Sequence, residues 1–336
     1  MRRDNNNMVK VKIEKYDDSL SEKWDKFVLH NSYNGTFLQT RNFLNYHPKE
    51  RFDDYSLVVY RGETEILAVI PACVVYDDGQ KTFSSHPGGT FGGIVFNKQF
   101  YNIQHVEKVL TSLENYLKNE SFKKVILKQT SQIFCDKQND LMEYFFFQRD
   151  WRHYSEISFV IDFREYLDEI PANFVESRRR GFRHSEKKGL KFRKLSLNEI
   201  EDFYSILSEN LKKFEAKPVH TLAELKEFKS SRLKEIVEFY GSFYEDRLLA
   251  ASMVFCFGTK VFHTQYLAAS QEDLKFFPNN NMDTHLIMEA KERGFRYFSF
   301  GISTEENGTI LNEKLALFKE GFGTSYCNNK VWYKTL

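Results

Sequence analysis

Apolar positions along the chain first fall into a strand, a polar turn and a second strand. Tyr55 to Val75 reads YSLVVYRGETEILAVIPACVV, two runs rich in β-branched residues around a turn at Arg61 to Glu65, which is the signature of a hairpin. The pattern returns at Val237 to Phe257, VEFYGSFYEDRLLAASMVFCF. Laying Leu67-Ala68 over Leu249-Ala250 aligns strand on strand and turn on turn, so the hairpin reads as duplicated. Each copy is followed by another extended segment, FSSHPGGTFGGIVF (Phe83 to Phe96) in the first and VFHTQYLAAS (Val261 to Ser270) in the second. A helix and one more strand come next in each. In the first copy Ile103, Val106, Val109, Leu110, Leu113 and Leu117 predict a helix over Ile103 to Asn119, followed by a strand at Lys124 to Lys128. In the second the helix covers Met282 to Arg293, stopped by Gly294, and the strand is Tyr297 to Phe300. Meandering strands with few helices interposed predict mixed α/β (α+β) layers, repeated, rather than a doubly wound parallel sheet.

A length of 336 residues agrees with two domains at roughly 100–200 residues each. We place them at 9–165 and 166–336, after a polar segment 1–8 (MRRDNNNM) expected to be disordered. Hydrophobic residues make up 41% of the chain, with 33 Phe and 18 Tyr, so two cores can be filled and disorder elsewhere is not indicated. Lys+Arg 48 against Asp+Glu 47 gives a formal charge of +1, which argues against a polyanion binder held by net charge. No stretch approaches the ~20 apolar residues of a bilayer span, and the N-terminus lacks an apolar signal core; a cytoplasmic protein is expected. Cys73, Cys135, Cys256 and Cys327 stand singly, with no C-x-x-C pair and no His at zinc-ligand spacing. They read as reduced, mostly buried thiols, with neither a disulfide framework nor a metal site.

Between the two halves the chain is strongly basic. Ala172 to Leu190 reads ANFVESRRRGFRHSEKKGL, and Arg178, Arg179, Arg180, Arg183, Lys187 and Lys188 fall on a helix that Gly189 closes. Arg179, Arg183 and Lys187 share one face by helical spacing, with Phe174, Phe182 and Gly181 turned inward. Such a stripe suits phosphates; a solvated charged face explains it equally well.

The run S-R-R-R-G-F-R-H-S-E-K-K-G resembles the R-x-x-I-R-K-A-E-K-x-G segment of the Fem-type (FemAB) transferases and their acetyltransferase-like (GNAT) relatives. Gly294 to Gly301, GFRYFSFG, is similar to that family's glycine, aromatic, strand, F-x-F-G element, and Asn312 to Gly323, NEKLALFKEGFG, to its closing F-K-x-x-F-G. Trp24 and Gly35-Thr36-Phe37-Leu38-Gln39 look like its opening helix and T-F-x-Q phrase, with Phe43 where Trp is common. The resemblance covers roughly residues 20 to 333. It implies two acetyltransferase-like domains in tandem, each a mixed, splayed β-sheet flanked by helices, with acyl transfer at the C-terminal one. No cofactor is expected to be tightly bound. The donor would be a cosubstrate (acyl-CoA, a thioester on acyl carrier protein, or aminoacyl-tRNA) and the acceptor an amine of a small molecule or a cell-envelope precursor. An aminoacyl-tRNA-dependent transferase acting on a peptidoglycan precursor and a silent binding module of the same fold are the alternatives.

Acyl transfer needs donors for a developing oxyanion, an acceptor for the amine's proton and a groove that excludes water. By the resemblance, Lys319 of the Phe318-Lys319 pair is associated with the transferring group, at the rim of a cleft with Gly301 at its mouth. Tyr266 is a candidate for orienting substrate. Strand alternation puts His263 with Gln265 on one face and Thr264 with Tyr266 on the other, which makes His263 a candidate base and Gln265 a candidate contact. His86 precedes Pro87-Gly88-Gly89, a turn able to approach a ligand closely. Gln39 belongs to the T-F-x-Q phrase. Ser270 to His285, SQEDLKFFPNNNMDTH, occupies the place of the pyrophosphate-binding glycine loop of coenzyme A-dependent acetyltransferases but has no glycine; its Asn run reads as a turn and helix cap.

Overall fold

The structure, a computed structural model, describes residues 10–48, 50–212 and 215–336; the disorder expected over 1–8 lies outside them. The described residues divide into two units, 10–156 with 328–336, and 157–327. The last nine residues therefore join the first unit rather than the C-terminal half, because their strand is hydrogen-bonded there.

In the first unit, β1 (Val11–Lys15) leads to the short helices α1 (Ser21–Lys26) and α2 (Arg41–Leu44) and the two-residue strand β2 (Asp53–Asp54). The predicted hairpin forms as β3 (Leu57–Arg61) and β4 (Glu65–Ile70). Pro71, lacking an N–H, ends β4. The chain resumes as β5 (Ala72–Asp77), pairs with β6 (Gln80–Ser85), and touches β4 again through β7 (Val95–Phe96). Helix α3 runs Ile103–Asn119, as its periodicity predicts, with the Asn102 side chain accepting from the His105 N–H at its start. Its inward stripe begins at Val106, while Ile103 is exposed. Strand β8 (Lys124–Lys128) and helix α4 (Asp140–Gln148) complete the unit.

Strand β9 (Arg152–Asp162) carries the chain into the second unit, where α5 (Glu176–Lys187), β10 (Lys191–Lys194), α6 (Ile200–Lys212) and α7 (Leu222–Glu227) follow. Gly189, at φ +82°, lets the chain leave α5 as predicted. The second hairpin is β11 (Val237–Tyr244) and β12 (Arg247–Phe257), then β13 (Val261–Ala269), α8 (Pro278–Glu292) and β14 (Tyr297–Ile302). The small ribbon β15 (Thr304–Glu305) with β16 (Ile310–Leu311), helix α9 (Glu313–Glu320) and β17 (Ser325–Thr335) end the chain. Strand order within the unit is β10-β11-β12-β13-β14-β9.

The two units repeat one topology. In the first, β5 and β6 are antiparallel, and β6 then pairs parallel with β8 over three residues, Thr82 to Ser84 against Lys124 to Ile126. In the second, β12 and β13 are antiparallel and β13 pairs parallel with β14 over three, Val261 to His263 against Tyr297 to Ser299. One helix, α3 or α8, intervenes each time. Both hairpins also carry a β-bulge at the aligned leucine: the register skips Leu67 between Ala68 and Ile66, and Leu249 between Ala250 and Leu248. Sharing an irregularity at the same place is stronger support for duplication than sharing a hairpin.

Candidate active site

The opening between β13 and β14 organises the second unit. After His263↔Ser299 the two strands part, β13 continuing along β12. Gln265 is skipped in the β12–β13 register, where Met253 faces Tyr266 and Val254 faces Thr264. This bulge overturns the simple alternation expected here. Directly opposed residues share a face, so Tyr266 and His263, opposite Met253 and Phe255, lie on the same face. Tyr266 points its hydroxyl to His220 Nδ1 at 2.7 Å, and burial pushes that hydroxyl up to about 12. His263 Nδ1 lies 3.1 Å from Ser299 Oγ; burial, with a smaller contribution from the Lys319 ammonium, pulls the imidazole down to about 4. Gly301, at φ +70°, sits so close to His263 that an added Cβ would lie 3.2 Å from the ring.

Lys319 is not at a rim. It is only 3% exposed, and its Nζ donates to the carbonyl oxygens of Gly301 (3.2 Å) and Ile302 (2.6 Å) at the end of β14. The Asn312 side chain caps α9 and fixes its rotation so that Ala316 and Lys319 face inward, while Leu315 and Leu317 remain exposed. Leu311, just before the helix, is exposed as well, and Phe318 packs half-buried against the core. Burial drives the Lys319 amine down to about 7, against an opposing pull from the Asp283 carboxylate. Asp283, on α8, is 1% exposed and its Oδ1 has no hydrogen-bond partner among the described residues. Burial raises its carboxyl to about 8, against the attraction of Arg178 and Lys319. Burial thus pushes an amine down and a carboxyl up within one cluster.

The sequence placed Arg178 only among the cations of the basic helix and did not point to Asp283. Arg178 turns inward from α5, its guanidinium 4.3 Å from the ring centroid of Phe318 and its Nε without a partner among the described residues. The signal was available: Arg178, Gly181 and Ser185 at i, i+3 and i+7 share the inward face of α5, where Gly181 and Ser185 are buried and Arg178 is half-buried. The Asn run is likewise no cap. Helix α8 begins at Pro278, so Asn280 and Asn281 lie inside it and are buried. Their amides reach α5, Asn280 donating to Arg178 O (3.2 Å) and Asn281 to Glu186 Oε1 (2.7 Å).

The stripe of Arg179, Arg183 and Lys187 is solvent-facing, and Glu176 holds both arginines, at 3.0 and 2.7 Å. An anion binding there must displace Glu176. Replacing Arg179 and Arg183 with Gln is expected to weaken binding of tRNA or coenzyme A about three- to tenfold by calorimetry, with the melting temperature unmoved, since exposed pairs contribute about 0–1 kcal/mol. Unchanged affinity for both would leave the stripe a solvated face.

In the first unit, Gln39 is fully buried. Its amide oxygen accepts from the Thr36 N–H and its amide nitrogen donates to Gly92 O and Thr130 Oγ1, so it ties three segments together. His86 is buried, and its Nδ1 accepts from the Gly88 N–H. Among the described residues no group of three or more His, Cys, Asp or Glu is placed to hold a metal. Cys73, Cys135 and Cys256 are buried free thiols, and burial raises Cys73 to about 12 and Cys256 to about 11, which leaves those two inert.

Residues 174–307, most of the second unit, match the acetyltransferase (GNAT) domain family. The second unit is a GNAT domain. Solved structures extend the likeness to the whole chain. FemX aligns with a TM-score of 0.68 at 13% identity, covering 96% of this chain and 97% of its own. L-PGS from Bacillus licheniformis gives 0.62 at 13%, covering 96% and 93%. A tandem GNAT protein from the clavulanic acid biosynthesis pathway gives 0.56 at 9%, covering 97% and 98%. No curated protein sequence matches the chain. The architecture is therefore a tandem GNAT fold, and its second unit contains the Lys319, Asp283 and His263 cluster. No helix among the described residues is long and apolar enough to cross a membrane.

Proposed function

We propose that the protein transfers an acyl group from a thioester donor to an amine of a small molecule or cell-envelope precursor, with the chemistry at the opening between β13 and β14. The observation that carries this is Lys319, a buried lysine held by the carbonyls of Gly301 and Ile302 where those strands part. The acceptor nitrogen attacks the donor carbonyl, the carbon–sulfur bond breaks, and the proton lost by the nitrogen leaves with the thiolate or to water. Two of the three protons of the Lys319 ammonium are held by the carbonyls, and the third stabilises the oxygen on which negative charge develops. When ionised, the Asp283 carboxylate opposes the loss of that ammonium's proton, which burial favours.

The start of α8 does not fit a coenzyme A pyrophosphate in the usual way. Its first residue is Pro278, which lacks an N–H, and Gly181 of α5 packs so closely that an added Cβ would lie 2.8 Å from Asn280. This closed helix end supports a donor carried on a macromolecule, acyl carrier protein in the first reading and aminoacyl-tRNA in the second. Incubating the protein with acyl-carrier and aminoacyl-tRNA pools and amine acceptors, followed by mass spectrometry, distinguishes the two. A silent binding module would yield no product with either.

The pH dependence tests the role of Lys319. With an acceptor amine whose own pKa lies well below neutrality, kcat/KM is expected to fall as pH rises through about 7, where Lys319 loses its proton. A rise through the same range would reassign Lys319 as the base.

A further inference from the structure

We infer that the first unit carries a binding site of its own, for a small organic compound bearing a protonated amine. A pocket of about 670 Å³ opens there between the turn before α1, helix α2 and β2, within the size range of small-molecule sites. Four carboxylates line it, Asp17 and Asp18 from the turn and Asp53 and Asp54 from β2. Against them stands one buried cation: Arg41, 4% exposed, is ion-paired with Asp54, donates to Ser56 Oγ and Asn45 Oδ1, and lies 4.0 Å from the ring centroid of Tyr16. With that pair neutralised, Asp17 and Asp53 leave the lining negative even when Asp18 is counted as paired.

Two further facts define the ligand. His86, 4% exposed, lines the pocket, and since its Nδ1 accepts from the Gly88 N–H, its Nε2 carries the ring proton. That N–H has no acceptor among the described residues, so it is available to an oxygen of the ligand. Burial keeps the imidazole uncharged at neutral pH, so His86 does not offset the carboxylates. Phe52, edge-on to His86 at 5.0 Å, supplies an apolar wall. A bare metal ion is disfavoured, because no three such ligands converge among the described residues and the volume far exceeds an ion. The combination calls for an ammonium group to meet the carboxylates, an acceptor oxygen for His86, and a compact body against Phe52.

This inference goes beyond the transfer reaction and is tested by binding alone. Calorimetry on the full chain would compare glucosamine and tyramine with their N-acetyl forms, which keep size and oxygens but lose the charge. At least one free amine is expected to bind, about tenfold or more tighter than its N-acetyl form. The double variant Asp17→Asn, Asp53→Asn should weaken that amine about tenfold at an unchanged melting temperature; if it melts early, Asp53→Asn alone serves. Equal binding of the charged and acetylated forms, no binding of either amine, or full affinity in the variant would overturn the site.

Discussion

Lys319→Met is expected to lower kcat and kcat/KM together by about 100- to 1,000-fold, the loss of one oxyanion donor at about 2.7–4 kcal/mol. Substrate affinity should hardly change, because the charge Lys319 meets exists only during transfer. The fold should survive. Wild type holds a lysine whose ammonium is penalised by burial, as its depressed pKa of about 7 records, and Met removes that cost while leaving the carbonyls of Gly301 and Ile302 to be satisfied otherwise. Thermal melts beside steady-state kinetics separate the two effects. A variant with full turnover on an identified donor and acceptor would take Lys319 out of the mechanism.

Gly323→Ala should act the other way, on stability before chemistry. Gly323 has φ +72°, and a Cβ there would lie 2.5 Å from the backbone oxygen of Asn173. A left-handed non-glycine residue costs about 1–2 kcal/mol and a forced backbone displacement about 1–3 more. At roughly 2–4 °C per kcal/mol for a unit of this size, that total of about 2–5 kcal/mol should lower the melting temperature by about 4–20 °C. The neighbouring Phe322 is fully buried and packs on Phe174 at 5.1 Å. The closing Phe-Gly of the motif is therefore structural. A melting temperature within a degree or two of wild type would show that the turn relaxes around an alanine.

Much of the fold was legible in the sequence because its signals are local. Helix α3 and strand β8 appear at their predicted bounds, since amphipathic spacing and flanking turns act within a few residues. The duplicated hairpins were legible for the same reason, down to the leucines that prove to be bulged in both copies. The basic run of α5 and its stop at Gly189 were equally plain.

What escaped depends on which face an element turns to its neighbours, and tertiary packing decides that. A one-residue bulge at Gln265 moves Tyr266 to the face of His263, and strand alternation alone could not reveal it, because the bulge exists only against the register of β12. Helix α9 buries Ala316 and Lys319 and exposes Leu315 and Leu317, the reverse of what hydrophobicity suggests, because its cap at Asn312 and the carbonyls at the end of β14 hold the lysine inward. Asp283 sits in a run of polar residues that reads as a helix start, yet α8 begins earlier, at Pro278, and buries it. The sequence alone determined two like halves, their strands and helices, and the family resemblance that singles out Lys319. That a buried Asp283 lies within the field of both Lys319 and Arg178 was decided only by the tertiary structure, because the energy of burying charge depends on partners distant in sequence, and no local pattern encodes them.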